Sequence, residues 1–103
     1  MYTLQFHNSV EKDILEITQW YNEQKQGLGN EFKNDIFATL DTVALKPNIT
    51  PVKYNHTRIK RINNKFPYFI HYEVYDKTKS IIIFGVFHGK RNPQLWKSRK
   101  SSS

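Results

Sequence analysis

The sequence predicts an α+β domain: two antiparallel N-terminal helices packed on one face of a small antiparallel β-sheet, in the order β-α-α-β-β-β. Three observations lead there. Apolar residues recur at helical spacing twice in the first half of the chain, with Gly27 and Gly29 between the two patterns. In the second half two β-type runs, Tyr68–Tyr75 and Ser80–His88, flank the polar turn formers Asp76-Lys77-Thr78-Lys79, which reads as a hairpin. At the start, Tyr2, Leu4 and Phe6 alternate with Thr3 and Gln5 as a short strand does.

In chain order, the strand over residues 2–6 joins the sheet beside the last hairpin strand, because it has no other apolar partner. A first helix follows, with Asn8 as N-cap and Glu11 completing a capping box. Val10, Ile14, Ile17 and Tyr21 fall on one of its faces, and acids near its start suit the helix dipole. Residues 24–29 form a tight connection, which makes the helices antiparallel neighbours. The second helix spans about residues 30–46, with Phe32, Ile36, Leu40 and Val43 as its stripe, Phe37 and Ala44 alongside, and Pro47 as its stop. Residues 48–55, with Pro51, read as irregular. A basic strand over residues 57–62 leads through Asn63-Asn64-Lys65 to the hairpin. There Tyr68, Ile70, Tyr72 and Val74 alternate toward the core, and residues 81–87 are apolar on both parities, as in a strand covered on both sides. The face away from the helices is expected to stay partly open. Trp96 is expected to anchor the tail, with residues 97–103 mobile.

At 103 residues the chain is large enough for a single core, read here as one domain over residues 1–100 with 101–103 as a mobile tail. With 15% aromatic residues it is not a disordered polymer. No run approaches the roughly 18 apolar residues of a membrane span, and the N-terminus lacks the regions of a signal peptide. The absence of cysteine excludes a disulfide framework and thiol chemistry. The expectation is a cytoplasmic, non-redox protein without a membrane partner or cofactor. No metal site is expected, since His7, His56 and His71 share no close spacing with one another or with a carboxylate.

The net charge of +7 is segregated. Residues 1–52 carry four lysines against seven acids, a balance of −3; residues 53–103 carry twelve Lys or Arg against Glu73 and Asp76, a balance of +10. A sheet-forming half that basic is expected to meet an anion, either nucleic acid or an acidic protein segment. Solubilising surface charge is the competing reading, but solubility does not require segregation. The hairpin brings the neighbourhood of Phe66-Pro67 close to His88-Gly89-Lys90-Arg91, and pairing of the strand before it adds Arg58, Lys60 and Arg61. These five cations, Arg58, Lys60, Arg61, Lys90 and Arg91, are the candidate anion contacts.

Several stretches carry a family resemblance: Trp20-Tyr21, Leu28-Gly29-Asn30-Glu31-Phe32, Leu45-Lys46-Pro47-Asn48, Arg58-Ile59-Lys60-Arg61-Ile62, Phe66-Pro67-Tyr68-Phe69-Ile70-His71-Tyr72, and the closing Val86-Phe87-His88-Gly89-Lys90-Arg91-Asn92-Pro93-Gln94-Leu95-Trp96. In order and spacing the chain resembles the RelE/ParE toxin superfamily of bacterial toxin–antitoxin modules, which includes plasmid-stabilisation proteins. The resemblance implies a toxin held inactive by a cognate antitoxin with an acidic, amphipathic C-terminal segment. It also implies one of two targets, because RelE-like members cut messenger RNA on the ribosome whereas ParE-like members inhibit DNA gyrase. The closing His-Gly-Lys-Arg-Asn-Pro-Gln-Leu-Trp is more similar to the ParE-like branch.

Metal-independent RNA cleavage needs a 2′-oxygen deprotonated, the phosphate's developing charge stabilised and the leaving oxygen protonated. The candidates by position are Arg61 and Arg91 for the phosphate, Lys60 or Lys90 for charge, and His88 for proton transfer. The competing readings are a packed strand-end histidine for His88 and contacts to an acidic antitoxin for the arginines. Nuclease members commonly end in a catalytic aromatic, often tyrosine; the nearest equivalent here is Trp96, which is neither acid nor base. This departure leaves catalysis open. A further class is a non-toxic nucleic-acid-binding module stacking bases on Tyr68, Phe69, Tyr72 or Phe87, although most of these fit the core pattern.

Overall fold

The computed structural model describes residues 1–89; the expectations for Lys90, Arg91, Trp96 and residues 97–103 lie outside that range. The elements are β1 (Thr3–Phe6), α1 (Val10–Gln24), α2 (Leu28–Leu45), β2 (Val52–Tyr54), β3 (Thr57–Arg61), β4 (Tyr68–Tyr75) and β5 (Ser80–His88). They form one sheet in the order β1-β5-β4-β3-β2. It is antiparallel except where β1 runs parallel to β5, so the sheet is mixed, and β1 lies beside the last hairpin strand as its pattern predicts.

Both helices cover one face. Val10, Ile14, Phe32, Ile36, Leu40 and Val43 pack on Ile62, Ile70, Tyr72, Ile81, Ile83 and Val86 in one core. Directly paired residues share a face, so the register places Tyr68, Ile70, Tyr72 and Val74 on the helix side with Ile81, Ile83, Val86 and His88. Between His71 opposite Gly85 and Tyr72 opposite Ile83, Phe84 is the extra residue of a bulge. Tyr21, Phe32, Phe66 and Tyr68 close one end of the core with centroids 5.0 to 6.2 Å apart, edge to face except for the tilted Tyr21–Phe32 pair. The second face is open at its rim and closed at its centre. Arg61 and Tyr75 are exposed there, whereas His71, Glu73 and Phe87 are buried. The hydroxyl of Tyr75 donates to Glu73 (2.8 Å), Tyr54 and His71 meet at 3.4 Å, and the His71 ring stands edge-on to Phe87.

Local boundaries differ from expectation in three places. Asn8 does not cap α1, whose N-cap is Ser9 without a side-chain cap bond. Asn8 lies instead in the turn before the helix, where Val10 N–H reaches His7 O (3.0 Å), Ser9 N–H reaches His7 Nδ1 (3.2 Å) and the Asn8 Oδ1 accepts from the Ser9 hydroxyl (3.4 Å). Helix α2 starts at Leu28, two residues early, because Gly27 at φ 88 turns the chain in one step. Residues 52–54, read as irregular, form an edge strand. Asn55 at φ 49 makes a tight return onto β3, and Pro51 stands just outside the ladder, where its missing N–H costs nothing.

Gly29 fixes how closely the helices approach. A Cβ there would stand 2.1 Å from the carbonyl oxygen of Thr18, and the Gly29 N–H donates to Asn22 Oδ1 at 2.8 Å. On the opposite flank of α1, Asp13 Oδ2 accepts from Val86 N–H (3.2 Å), a β5 donor beyond the point where β1 has ended. No helix among the described residues is long and apolar enough to cross a membrane.

Candidate functional site

The site is set by the corner between β3 and β4. Asn63 Oδ1 accepts from the N–H groups of Lys65 and Phe66, both at 3.0 Å, which folds residues 63–66 into a side-chain-capped turn. Its Nδ2 donates to Asp35 of α2 (2.8 Å), and Lys65 forms an ion pair with Glu31 (2.6 Å), so the corner is tied to a helix at two points. From this corner Arg61 projects on the second face of the sheet, opposite Phe69 in register. Its guanidinium carbon lies 5.4 Å from the centre of the Phe69 ring, and its Nε donates to Asn63 O at 2.7 Å. Gly89 backs the same ring: a Cβ there would meet a Phe69 ring carbon at 2.6 Å, while Gly89 N–H bonds Pro67 O at 2.9 Å.

The remaining predicted residues are placed differently. His88 pairs with Tyr68 and stands edge-on to its ring at 5.3 Å, on the helix side of the sheet and half-buried. Arg61 and His88 therefore occupy the same end of the sheet but opposite faces. Arg58 donates to the carbonyls of Thr50 and Asn48, which spends it on the loop between α2 and β2. Lys60 is half-buried opposite Ile70. Lys90 and Arg91 lie outside the described residues. Of the five cations named from sequence, Arg61 is the one the described structure shows exposed on the second face. The described residues include no group of three or more histidine, aspartate or glutamate side chains able to hold a metal.

At the far end of the sheet Asp76 Oδ1 accepts from the Tyr2 hydroxyl (2.5 Å) and Asn48 Nδ2 (3.2 Å). Those two hydrogen bonds, with smaller contributions from Lys79 and Arg58, hold its carboxyl below the usual carboxylate value. On the second face, burial raises the Tyr54 hydroxyl, and the bond to Glu73 raises that of Tyr75.

A second feature was not visible in the sequence. Between the end of β1 and the outer side of the helix pair lies an apolar groove of about 540 Å³, lined by Phe6, Val10, Ile14, Leu15 and Phe37, with Glu11 and Lys33 among its polar residues. Phe6, Leu15 and Phe37 are 51%, 54% and 48% exposed. Phe37 is thus a surface residue and not part of the core stripe. The available signal was its position, since it falls off the spacing that links Phe32, Ile36, Leu40 and Val43.

Comparison with known proteins agrees with this architecture. The family model described as "ParE toxin of type II toxin-antitoxin system, parDE" matches residues 4–93. The isolated E. coli RelE toxin superposes with a TM-score of 0.65 at 16% identity, covering all of both chains. A chain of the intact E. coli RelBE toxin–antitoxin complex gives 0.68 at 17% identity, covering 88% of this chain and 100% of the other. One from the chromosomal ParDE TA system of P. aeruginosa gives 0.72 at 16% identity, covering 85% and 96%. At these identities the superpositions show a shared fold. The search of curated proteins found no match. The family model spans most of the chain, and the chain belongs to the ParE toxin family of type II toxin–antitoxin systems.

Proposed function

We propose that this toxin arrests growth by inhibiting DNA gyrase, and that a cognate antitoxin with an acidic, amphipathic C-terminal segment holds it inactive. The observation that carries the choice of target is the separation of Arg61 and His88 on opposite faces of the sheet. Cleavage at a 2′-oxygen needs the phosphate clamp and the proton carrier within hydrogen-bond reach of one nucleotide, and an intervening sheet denies these two residues a common nucleotide. Inhibition by docking has no such requirement. Arg61 then supplies a contact to an anionic group of the target complex, in keeping with its exposure and with the absence of an ion pair to it among the described residues.

Antitoxin capture is supported by the apolar groove and by charge. An amphipathic segment that orders on contact buries its apolar face against Phe6, Leu15 and Phe37, and its acids meet Lys33 and the basic half of the chain. The solved relatives include toxins of the RelBE and ParDE systems. Two assays on induced cells test the target. Relaxed plasmid should accumulate, and primer extension should find no new messenger RNA ends. Codon-phased cleavage with normal plasmid supercoiling would assign the toxin to the nuclease branch. Co-expression of the antitoxin should restore growth.

A further inference from the structure

The geometry points to Phe69 and Gly89 as positioning residues that present the Arg61 guanidinium end-on to an oxyanion of the target. The inference rests on the anion contact proposed above for Arg61. Arginine can offer a carboxylate or phosphate two forks, one using Nε with a terminal nitrogen and one using both terminal nitrogens. Here Nε is committed to Asn63 O at 2.7 Å, so the side fork is taken and the two terminal nitrogens remain as the paired donors. One face of the guanidinium is covered by the Phe69 ring, with 5.4 Å between the guanidinium carbon and the ring centre. The stack also restricts the rotamers of a long exposed side chain, which lowers the entropy lost when an anion binds.

The ring is itself fixed. Phe69 is paired between Arg61 on β3 and Phe87 on β5, and the backbone of Gly89 lies against its edge so closely that a Cβ would approach to 2.6 Å. The obstructing atom belongs to the ring itself, so a side chain at position 89 must push the platform, and the guanidinium resting on it, out of place. A glycine next to His88 therefore has a role on the other face from His88: it leaves room for the ring that carries Arg61.

The test combines gyrase inhibition with the NMR resonance of the Arg61 Nε–H, which sits beside the ring and carries its ring-current shift. Phe69→Leu removes the flat face, Phe69→Tyr keeps it, and Gly89→Ala displaces it; melting temperatures establish that each variant is folded. The expected result is that Phe69→Leu and Gly89→Ala move the Arg61 resonance and weaken inhibition by about three- to fivefold, the scale of one exposed cation–π contact. Phe69→Tyr should keep both within about the wild-type range. In an Arg61→Ala background, Phe69→Leu should cost nothing more, because coupled residues are non-additive. An unmoved Arg61 resonance in folded Phe69→Leu, or an equal loss with Arg61 already absent, overturns the positioning role. Full inhibition by Arg61→Ala alone would instead remove the anion contact on which the role depends, and the resonance would still report whether the ring holds the guanidinium.

Discussion

Gly29 shows how one missing methyl sets the spacing of the helix pair. The atom that would meet its Cβ is a backbone carbonyl of α1, which cannot rotate away as a side chain would. Gly29→Ala must therefore separate the helices, and the cost expected for overpacking is about 1–3 kcal/mol, read as a lower urea midpoint at unchanged slope. Alanine is the better helix former, so a neutral or stabilised variant would show that the helices do not meet there. Asp76 offers a titration. Its folded-state value lies below the ordinary 3.8, chiefly through the Tyr2 hydroxyl, so the stability it contributes is fully present above that pH and is lost as pH falls through the depressed value. Tyr2→Phe removes the largest cause and should move the Asp76 carboxyl upward in an NMR titration, toward its ordinary value. An unmoved carboxyl would mean that Asn48 and the nearby cations suffice.

Among the elements, the helices and the hairpin were legible because their signals are local. The spacing of Phe32, Ile36, Leu40 and Val43 is intrinsic to α2, and the alternation of Tyr68, Ile70, Tyr72 and Val74 is intrinsic to β4. What depends on tertiary partners was not legible. Strand β2 exists because Asn55 returns the chain onto β3, and Asn8 is held in the turn that closes on His7, one residue before the N-cap Ser9. Arg58 is spent on loop carbonyls that no pattern places beside it. The Phe69 and Gly89 platform depends on β4 lying next to β5, although Phe69, His88 and Gly89 were already prominent in the sequence. The groove formed by β1, α1 and α2 carries its own prediction. Phe37 is a half-exposed aromatic with no place in the core cluster, so Phe37→Glu should leave the fold and gyrase inhibition intact. It should weaken antitoxin binding at least tenfold, about 1.4 kcal/mol, measured by calorimetry with the purified pair. Undiminished affinity would place the antitoxin elsewhere on the toxin.

The whole molecule is electrically polarised, from −3 over residues 1–52 to +10 over the remainder, and that separation bears on rates more than on the fold. Charges facing a partner speed encounter and are screened beyond about 10 Å at 0.1 M salt. Association with an acidic antitoxin should therefore slow steeply as salt rises, while dissociation, governed by the buried apolar contacts, changes little; stopped-flow measurements across a salt series would separate the two. The sheet divides the molecule in the other direction. Its helix side holds the half-buried His88 edge-on to Tyr68, and its second side presents Arg61 on Phe69. We propose that a chain so arranged acts by docking on gyrase. Its most direct test is supercoiling of relaxed plasmid by purified gyrase, with no ribosomes present, titrated with the toxin. Docking on gyrase should give a dose-dependent loss of supercoiling that prior addition of antitoxin abolishes; supercoiling unchanged at every concentration of folded toxin would rule that mode of action out.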